Sequence, residues 1–162
     1  ESVKEVTRAA KSALKKTPLI VKLSPNVESI AANALAAQEG GADCLSLINT
    51  LTGMVIDIER RRPLIANNTG GVSGAGIRPI AVRMVYEVCQ AVSVPVIGMG
   101  GITCAEDALE FIIAGASAVQ VGTANFTDTL AMPRIIAGLN EWLDRHGVPN
   151  IEELRGTLRL NG

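Results

Sequence analysis

The sequence predicts an α/β fold built on a parallel sheet. Three observations carry this. Apolar runs at 18–25, 44–50, 95–100 and 118–124 alternate with helical patterns. The runs are rich in Val, Ile and Leu, as in strands covered on both faces. Glycines or prolines punctuate most of the boundaries, and no linker divides the chain. Strands alternating with helices mean βαβ units, so the order reads as one helix followed by four βα units in a single domain, 1–162.

Each element has its own justification. The segment 2–16, SVKEVTRAAKSALKK, has apolar residues at helical spacing opposite Lys and Arg, an amphipathic helix. PLIVKLSP (18–25) is a short apolar run between prolines, read as a buried strand, with Lys22 near its carboxyl end. The segment 26–42 is a helix with Asn26 as N-cap and Gly40-Gly41 as its stop. CLSLINT (44–50) is the second strand. From Leu51 to Arg78 runs a long loop holding DIERRRP and NNTGGVSGAGIRP. Loops of this length are usually functional or mobile. The helix at 77–92 has Pro79 in its first turn, where a missing N–H costs nothing. PVIGMG (95–100) is the third strand, 105–116 a helix closed by Gly115, and AVQVGTA (118–124) the fourth strand. A last helix covers 131–147, with Pro133 early and Gly147 at its end. The tail 148–162 reads as a short helix or an arm.

Composition narrows the function classes. The chain has 162 residues, 48% of them apolar, and only two Phe, one Trp and one Tyr, so its core is aliphatic. A net charge of −1 gives no support for a nucleic-acid or membrane-surface partner. No apolar run reaches the roughly 18 residues of a membrane span. Cys44, Cys89 and Cys104 form neither a CxxC nor a zinc spacing and read as buried or half-buried thiols in a reducing, cytoplasmic compartment. His146, the one histidine, reads as a helix C-terminal residue rather than a zinc ligand. GGVSGAG follows a loop rather than a strand, which is weak for a Rossmann or P-loop nucleotide site. The chain opens without Met and without a secretory signal, inside a helical pattern, a start that reads as a cut.

In parallel α/β folds, ligands sit at the carboxyl ends of the strands. This sequence gathers its polar and glycine exceptions there: Lys22 and Ser24, then Asn49 and Thr50, then Gly100 and Gly101, then Gly122 and Thr123. The long loop adds Gly70, Gly71, Ser73 and Gly74 just before a helix. Glycine-rich turns present backbone N–H groups to phosphate. A phosphate site after the last two strands recurs in (β/α)8 barrels. GMGGI and VGTANF therefore read as a phosphate clamp, with the Thr123 hydroxyl as a further donor. Pure turn chemistry is the alternative for each glycine pair. A buried Lys22 without a partner would lose its charge or cost several kcal/mol. Either an anionic or electron-accepting ligand or a neighbouring acid would resolve that. Asn49 and Thr50 suit a small polar heterocycle, or a loop cap. DIERRRP is either a solvated charge run or a partner-facing or gating loop.

The motifs VKLSPN, INTLTGMVIDIERRRP, NTGGVSGAGIRPIAVRMVYEV, VPVIGMGGI and AVQVGTANF, in this order, resemble the class 1 dihydroorotate dehydrogenases, most closely the catalytic subunit of the NAD-linked class 1B type. The resemblance covers roughly the whole chain. It implies an FMN-containing (β/α)8 (TIM) barrel that oxidises dihydroorotate to orotate in pyrimidine (UMP) biosynthesis. By resemblance, Lys22 contacts the flavin ring and Ile48 lies against it. Ser73 and Gly74 approach the flavin, and Gly100, Gly101, Gly122 and Thr123 hold the FMN phosphate. Asn49 and Thr50 hydrogen-bond the orotate ring. In the 1B type, electrons leave through a second subunit carrying FAD and a [2Fe–2S] cluster and reach NAD.

The family barrel is about twice as long. The four βα units here resemble units five to eight, so the chain reads as the C-terminal half of the barrel. The family's base cysteine belongs to the other half, and no catalytic residue is assigned among these 162 residues. Four parallel strands without closure leave two open edges, which favours a homo-oligomer or a complementing half-barrel. The alternatives are an FMN- or phosphate-binding half-barrel without turnover, or another FMN barrel acting on pyrimidines.

Overall fold

The structure is a computed structural model that describes residues 2–161. Its centre is a four-stranded parallel sheet: β1 (Ile20–Lys22), β2 (Cys44–Leu47), β7 (Val96–Met99) and β8 (Ala118–Gln120), in that spatial order. Between β2 and β7 the chain forms two small antiparallel pairs, β3 (Leu51–Gly53) with β6 (Gly70–Val72) and β4 (Ile56–Asp57) with β5 (Arg62–Pro63). The helices are α1 (Ser2–Ala13), α2 (Ile30–Glu39), α3 (Arg78–Ala91), α4 (Ala105–Ala114), α5 (Ala124–Thr127) and α6 (Ala131–His146). Short 3-10 turns cover Ala75–Ile77 and Ile151–Leu154.

Strand order never reverses along the sheet, so there is no switch point of the doubly wound kind. With right-handed crossovers, sequential order places the connecting helices on one face. The helices pack accordingly, α1 on α2, α2 on α3, α3 on α4 and α4 on α6. This is the winding of consecutive units in a barrel, over half a barrel's strands.

Register explains which side chains enter the core. Val21 pairs Leu45, Leu45 pairs Val96, and Leu47 pairs Gly98, which pairs Val119. Paired residues of a parallel sheet share a face. These look toward the helices, where Leu45, Leu47, Val85, Val88 and Phe111 are fully buried. Alanines at 34, 37, 81 and 108 let the helices approach closely, and all four are 0% exposed. The opposite face carries Ile20, Lys22, Ser46, Ile97, Met99, Ala118 and Gln120. Its two ends, at β1 and β8, are exposed.

Several expectations are corrected. The first strand is not buried: β1 is an edge strand of three residues, and Ile20 is 53% exposed. The second and fourth strands stop at Leu47 and Gln120, and the last three residues of the first run and the last four of the second turn into loop or helix. Asn26 does not cap α2. Ser29 does, accepting a hydrogen bond from the Ala32 N–H, and α2 starts at Ile30. The region Leu51–Arg78 is not one long loop but two small antiparallel sheets and a 3-10 turn. Cys104 is exposed, whereas Cys44 and Cys89 are half-buried.

The helix stops hold as read. Gly115 closes α4 through bonds to Ile112 and Phe111, and Gly147 closes α6 in the left-handed region with φ 64°. His146 lies on the last turn of α6, with Nδ1 2.8 Å from the Trp142 carbonyl and its ring stacked on Trp142. The tail folds back on α4, where Gly156 and Leu158 donate to the carbonyls of Ile112 and Ile113. Among the described residues, no helix is long and apolar enough to cross a membrane.

Candidate functional site

A cavity of about 500 Å³ opens at the carboxyl ends of the parallel strands. The residues expected to hold the cofactor and substrate line it, whereas Ser24, Gly70 and Gly71, which the sequence also gathers at this end, do not. β1 contributes Lys22 at its last position, and the chain leaving β2 contributes Ile48, Asn49 and Thr50. The segment after β6 brings Ser73 and Gly74. Gly100 and Gly101 follow β7, and Gly122 and Thr123 follow β8. Sequence reasoning missed Met99, Ile102, Thr103, Gln120 and Met132, which also line it. Gln120 carries the same signal as Lys22, a polar residue ending an apolar strand.

The electrostatics favour an anion. Lys22 is the one charged side chain in the lining. It is exposed rather than buried, because among the described residues β1 has no outer neighbour. Among the described residues it forms no salt bridge, which removes the structural ion pair considered for it. Its ammonium group therefore offers its charge to whatever occupies the cavity.

The glycines fall into two kinds. At Gly101, φ is 75°, and a Cβ would lie 2.8 Å from the Gly74 carbonyl oxygen and 2.9 Å from the Arg78 nitrogen. Here the bare backbone lets the turn after β7 touch the start of α3. At Gly122, φ is outside the left-handed region, and a Cβ would meet nothing within 4 Å. Nothing in the chain itself calls for glycine at that position, which faces open space.

Backbone donors converge on the same place. The N–H groups of Gly100, Gly101, Gly122 and Thr123 take part in no backbone hydrogen bond within the described residues. Unmade N–H bonds of this kind are the donors that bind phosphate in glycine-rich turns. The Thr123 hydroxyl donates to Ser73 Oγ at 2.9 Å, which ties the end of β8 to the segment after β6.

A buried carboxylate holds the turn after β7 from behind. Asp107, on the first turn of α4, is 4% exposed. Its Oδ2 accepts from the Thr103 N–H (2.8 Å), the Thr103 hydroxyl (2.7 Å) and the Cys104 N–H (3.2 Å). Its Oδ1 pairs with the Arg78 guanidinium at the start of α3. Burial raises its pKa, but the bonds from Thr103 and Cys104 and the Arg78 charge outweigh that and hold it below the usual value. Glu110 adds a second carboxylate 3.3 Å from Arg78 Nε.

The other wall is set by the segment leaving β2. Ile48 is buried, its N–H bonded to the Met99 carbonyl, and it presents an apolar surface to the cavity. Asn49 Oδ1 accepts from the Thr50 N–H at 2.8 Å. A Cβ on Gly71 would overlap the Thr50 side chain, so Gly71 leaves the room that Thr50 fills. The cavity thus has a donor-rich end at β7 and β8, a cation on β1, and an amide and a hydroxyl beside β2. Such a lining can hold a phosphorylated, partly apolar ligand with a polar heterocycle next to it.

Comparison with known proteins places this geometry. The family model described as dihydroorotate dehydrogenase matches residues 1–143. The catalytic subunit of dihydroorotate dehydrogenase B (NAD(+)) from Bacteroides fragilis is 55% identical over 160 residues, covering 99% of this chain and 52% of that protein. The protein of the same description from Pelobacter propionicus is 57% identical over 154 residues, 95% of this chain and 50% of that one. That from Geotalea uraniireducens is 59% identical over 141 residues, 87% and 46%. The chain spans about half the length of the curated relatives it matches.

Proposed function

The chain belongs to the dihydroorotate dehydrogenase family, and on that premise we propose that it is the FMN-binding, C-terminal half of a catalytic subunit that oxidises dihydroorotate to orotate. The observation that carries this reading is that, among the described residues, four backbone N–H groups without a backbone partner and one cation without a salt bridge belong to the lining of a cavity that has no carboxylate in it. The residues fit FMN. Gly100, Gly101, Gly122 and Thr123 would hold its phosphate, with Ser73 and Gly74 alongside. Ile48 would give the ring an apolar wall, and Lys22 would favour negative charge on it. FMN, when bound, supplies the two-electron acceptor for the oxidation.

The chain's own residues bind and orient. Asn49 and Thr50 would hold the substrate ring beside the apolar wall, where positioning supplies much of the rate. The base that removes the substrate proton lies, in this reading, in the other half of the barrel. The relatives are named as catalytic subunits of an NAD(+) enzyme, which implies another subunit. A subunit carrying FAD and a [2Fe–2S] cluster would pass the electrons to NAD. A complementing half would close the sheet at the edges of β1 and β8.

The test is a titration of this chain and of the full-length subunit with FMN, and with riboflavin as the phosphate-free control. Saturable FMN binding with far weaker riboflavin binding, and bleaching of the full-length flavoprotein by dihydroorotate under anaerobic conditions, are expected. Equal affinity for both flavins would overturn the phosphate clamp. A full-length subunit that binds neither would overturn the flavin reading.

A further inference from the structure

Asn26 lies outside the cavity, yet its side chain is bound to the segment that lines it. Its Nδ2 donates to the Thr50 carbonyl at 2.9 Å, and its Oδ1 accepts from the Thr52 N–H at 2.9 Å. One amide therefore satisfies an acceptor and a donor two residues apart, as a neighbouring strand would. The bridge joins positions 24 and 26 apart in sequence. Ser24 fixes the amide in turn, its Oγ accepting from the Asn26 N–H at 3.2 Å and from Nδ2 at 3.3 Å.

Thr50 is held on every side by this arrangement. Its N–H goes to Asn49 Oδ1, its carbonyl to Asn26, and its side chain fills the space that Gly71 leaves. Without the Asn26 bonds, the Thr50–Leu51 peptide that follows the pair loses the anchor on its carbonyl, and Thr50, with the Asn49 side chain bonded to its N–H, loses its fixed position. We propose that Asn26 is a positioning residue for the substrate-holding pair Asn49 and Thr50. This rests on the function proposed above, in which that pair contacts the substrate ring. The phosphate end of the cavity shares no hydrogen bond with Asn26, so FMN affinity is independent of it.

Only an amide meets both requirements. Alanine removes both bonds. Aspartate has the same shape and keeps an acceptor for Thr52, but it sets a carboxylate oxygen against the Thr50 carbonyl oxygen. The experiment uses the full-length, FMN-loaded subunit and the variants Asn26→Ala and Asn26→Asp. Orotate affinity is read from the flavin absorbance, with kcat and KM for dihydroorotate, the FMN Kd and the melting temperature measured in parallel. Both variants should raise the orotate Kd and the KM about tenfold, the scale of one or two lost hydrogen bonds, with the FMN Kd unchanged and kcat reduced less than KM is raised. Aspartate should fail to rescue, and being isosteric it carries the test if the alanine variant does not fold.

Unchanged orotate affinity, rescue by aspartate, or a joint decline of FMN affinity, kcat and melting temperature would overturn the assignment. A wild-type subunit that binds FMN but neither binds orotate nor oxidises dihydroorotate would overturn the proposed function itself, and this inference with it.

Discussion

The Thr123 hydroxyl and the Ser73 hydroxyl meet at 2.9 Å, although fifty positions separate them. The contact joins the end of the last parallel strand to the segment after β6, and both residues line the cavity. Thr123→Val keeps the side-chain volume and removes the donor. FMN binding should weaken roughly tenfold, about the worth of a hydrogen bond to a charged group. Riboflavin binding should hardly change. Isothermal titration with both flavins checks this, and equal losses for both would contradict a role at the phosphate.

Two glycines should respond in opposite ways to the same substitution. A Cβ on Gly98 would sit 2.5 Å from the Phe111 ring, in the buried layer between sheet and helices. Gly98→Ala should destabilise the fold by about 1–3 kcal/mol through overpacking, whether or not ligand is present. Gly122→Ala meets no atom of the chain within 4 Å. Its melting temperature should match that of the parent while its FMN affinity falls. Thermal melts with and without FMN separate the two cases.

Asp107 gives stability a defined dependence on pH. Its folded pKa is depressed below the ordinary aspartate value. Its contribution is therefore fully present above the unfolded pKa of about 4 and is lost as pH falls through the folded pKa. Urea unfolding should show stability declining with acidity below about pH 4. Asp107→Asn should flatten that part of the profile. At neutral pH the variant removes one of the two carboxylates that Arg78 meets among the described residues, Glu110 remaining, and should cost about 1–3 kcal/mol.

The three thiols should react in a fixed order. Cys104 is exposed at the N-terminus of α4, whereas burial pushes the Cys89 thiol up to about 11. Burial also raises the thiols of Cys44 and Cys104, to a smaller degree, so exposure sets the order between them. At pH 8 only about one Cys89 side chain in a thousand is thiolate, and thiolate is the reactive form. Titration of the native protein with a disulfide reagent should modify Cys104 first and Cys89 only on unfolding. Early modification of Cys89 would mean that the α3–α4 layer opens locally.

How much of this was legible in the sequence depends on how local the cause is. The strands, the helix stops at Gly115 and Gly147, and the collection of polar residues at one end of the sheet follow from spacing and turn chemistry. That end of the sheet is shared because parallel strands all point the same way, so reading each strand's last residues sufficed to list Lys22, Asn49, Gly100 and Gly122. Asn26 was misread because an asparagine before a helix resembles a cap, and the groups that claim its side chain, on Thr50 and Thr52, are remote in sequence. The exposure of Lys22 follows from the place of β1 at the edge of the sheet among the described residues, which its own segment does not reveal. The β3–β6 pairing depends on Gly70 and Gly71 finding Gly53 and Thr52 across the intervening hairpin, which no short window reveals.

Sequential strand order also has a kinetic side. Among the described residues, each strand of the sheet after β1 pairs with the sheet strand before it in sequence, so these strands can be added in the order in which they emerge. The steps are unequal. Joining Ile20 to Cys44 or Ile97 to Ala118 closes a similar length of chain, whereas joining Leu45 to Val96 closes roughly twice as much. Doubling a loop adds only about 0.6 kcal/mol of closure entropy. The β3–β6 pair shortens the effective span further, since it brings Gly53 to Gly70 before β7 has to arrive. The excursion that carries Ser73 and Gly74 to the cavity thus doubles as the clip that lets the second half of the sheet find the first.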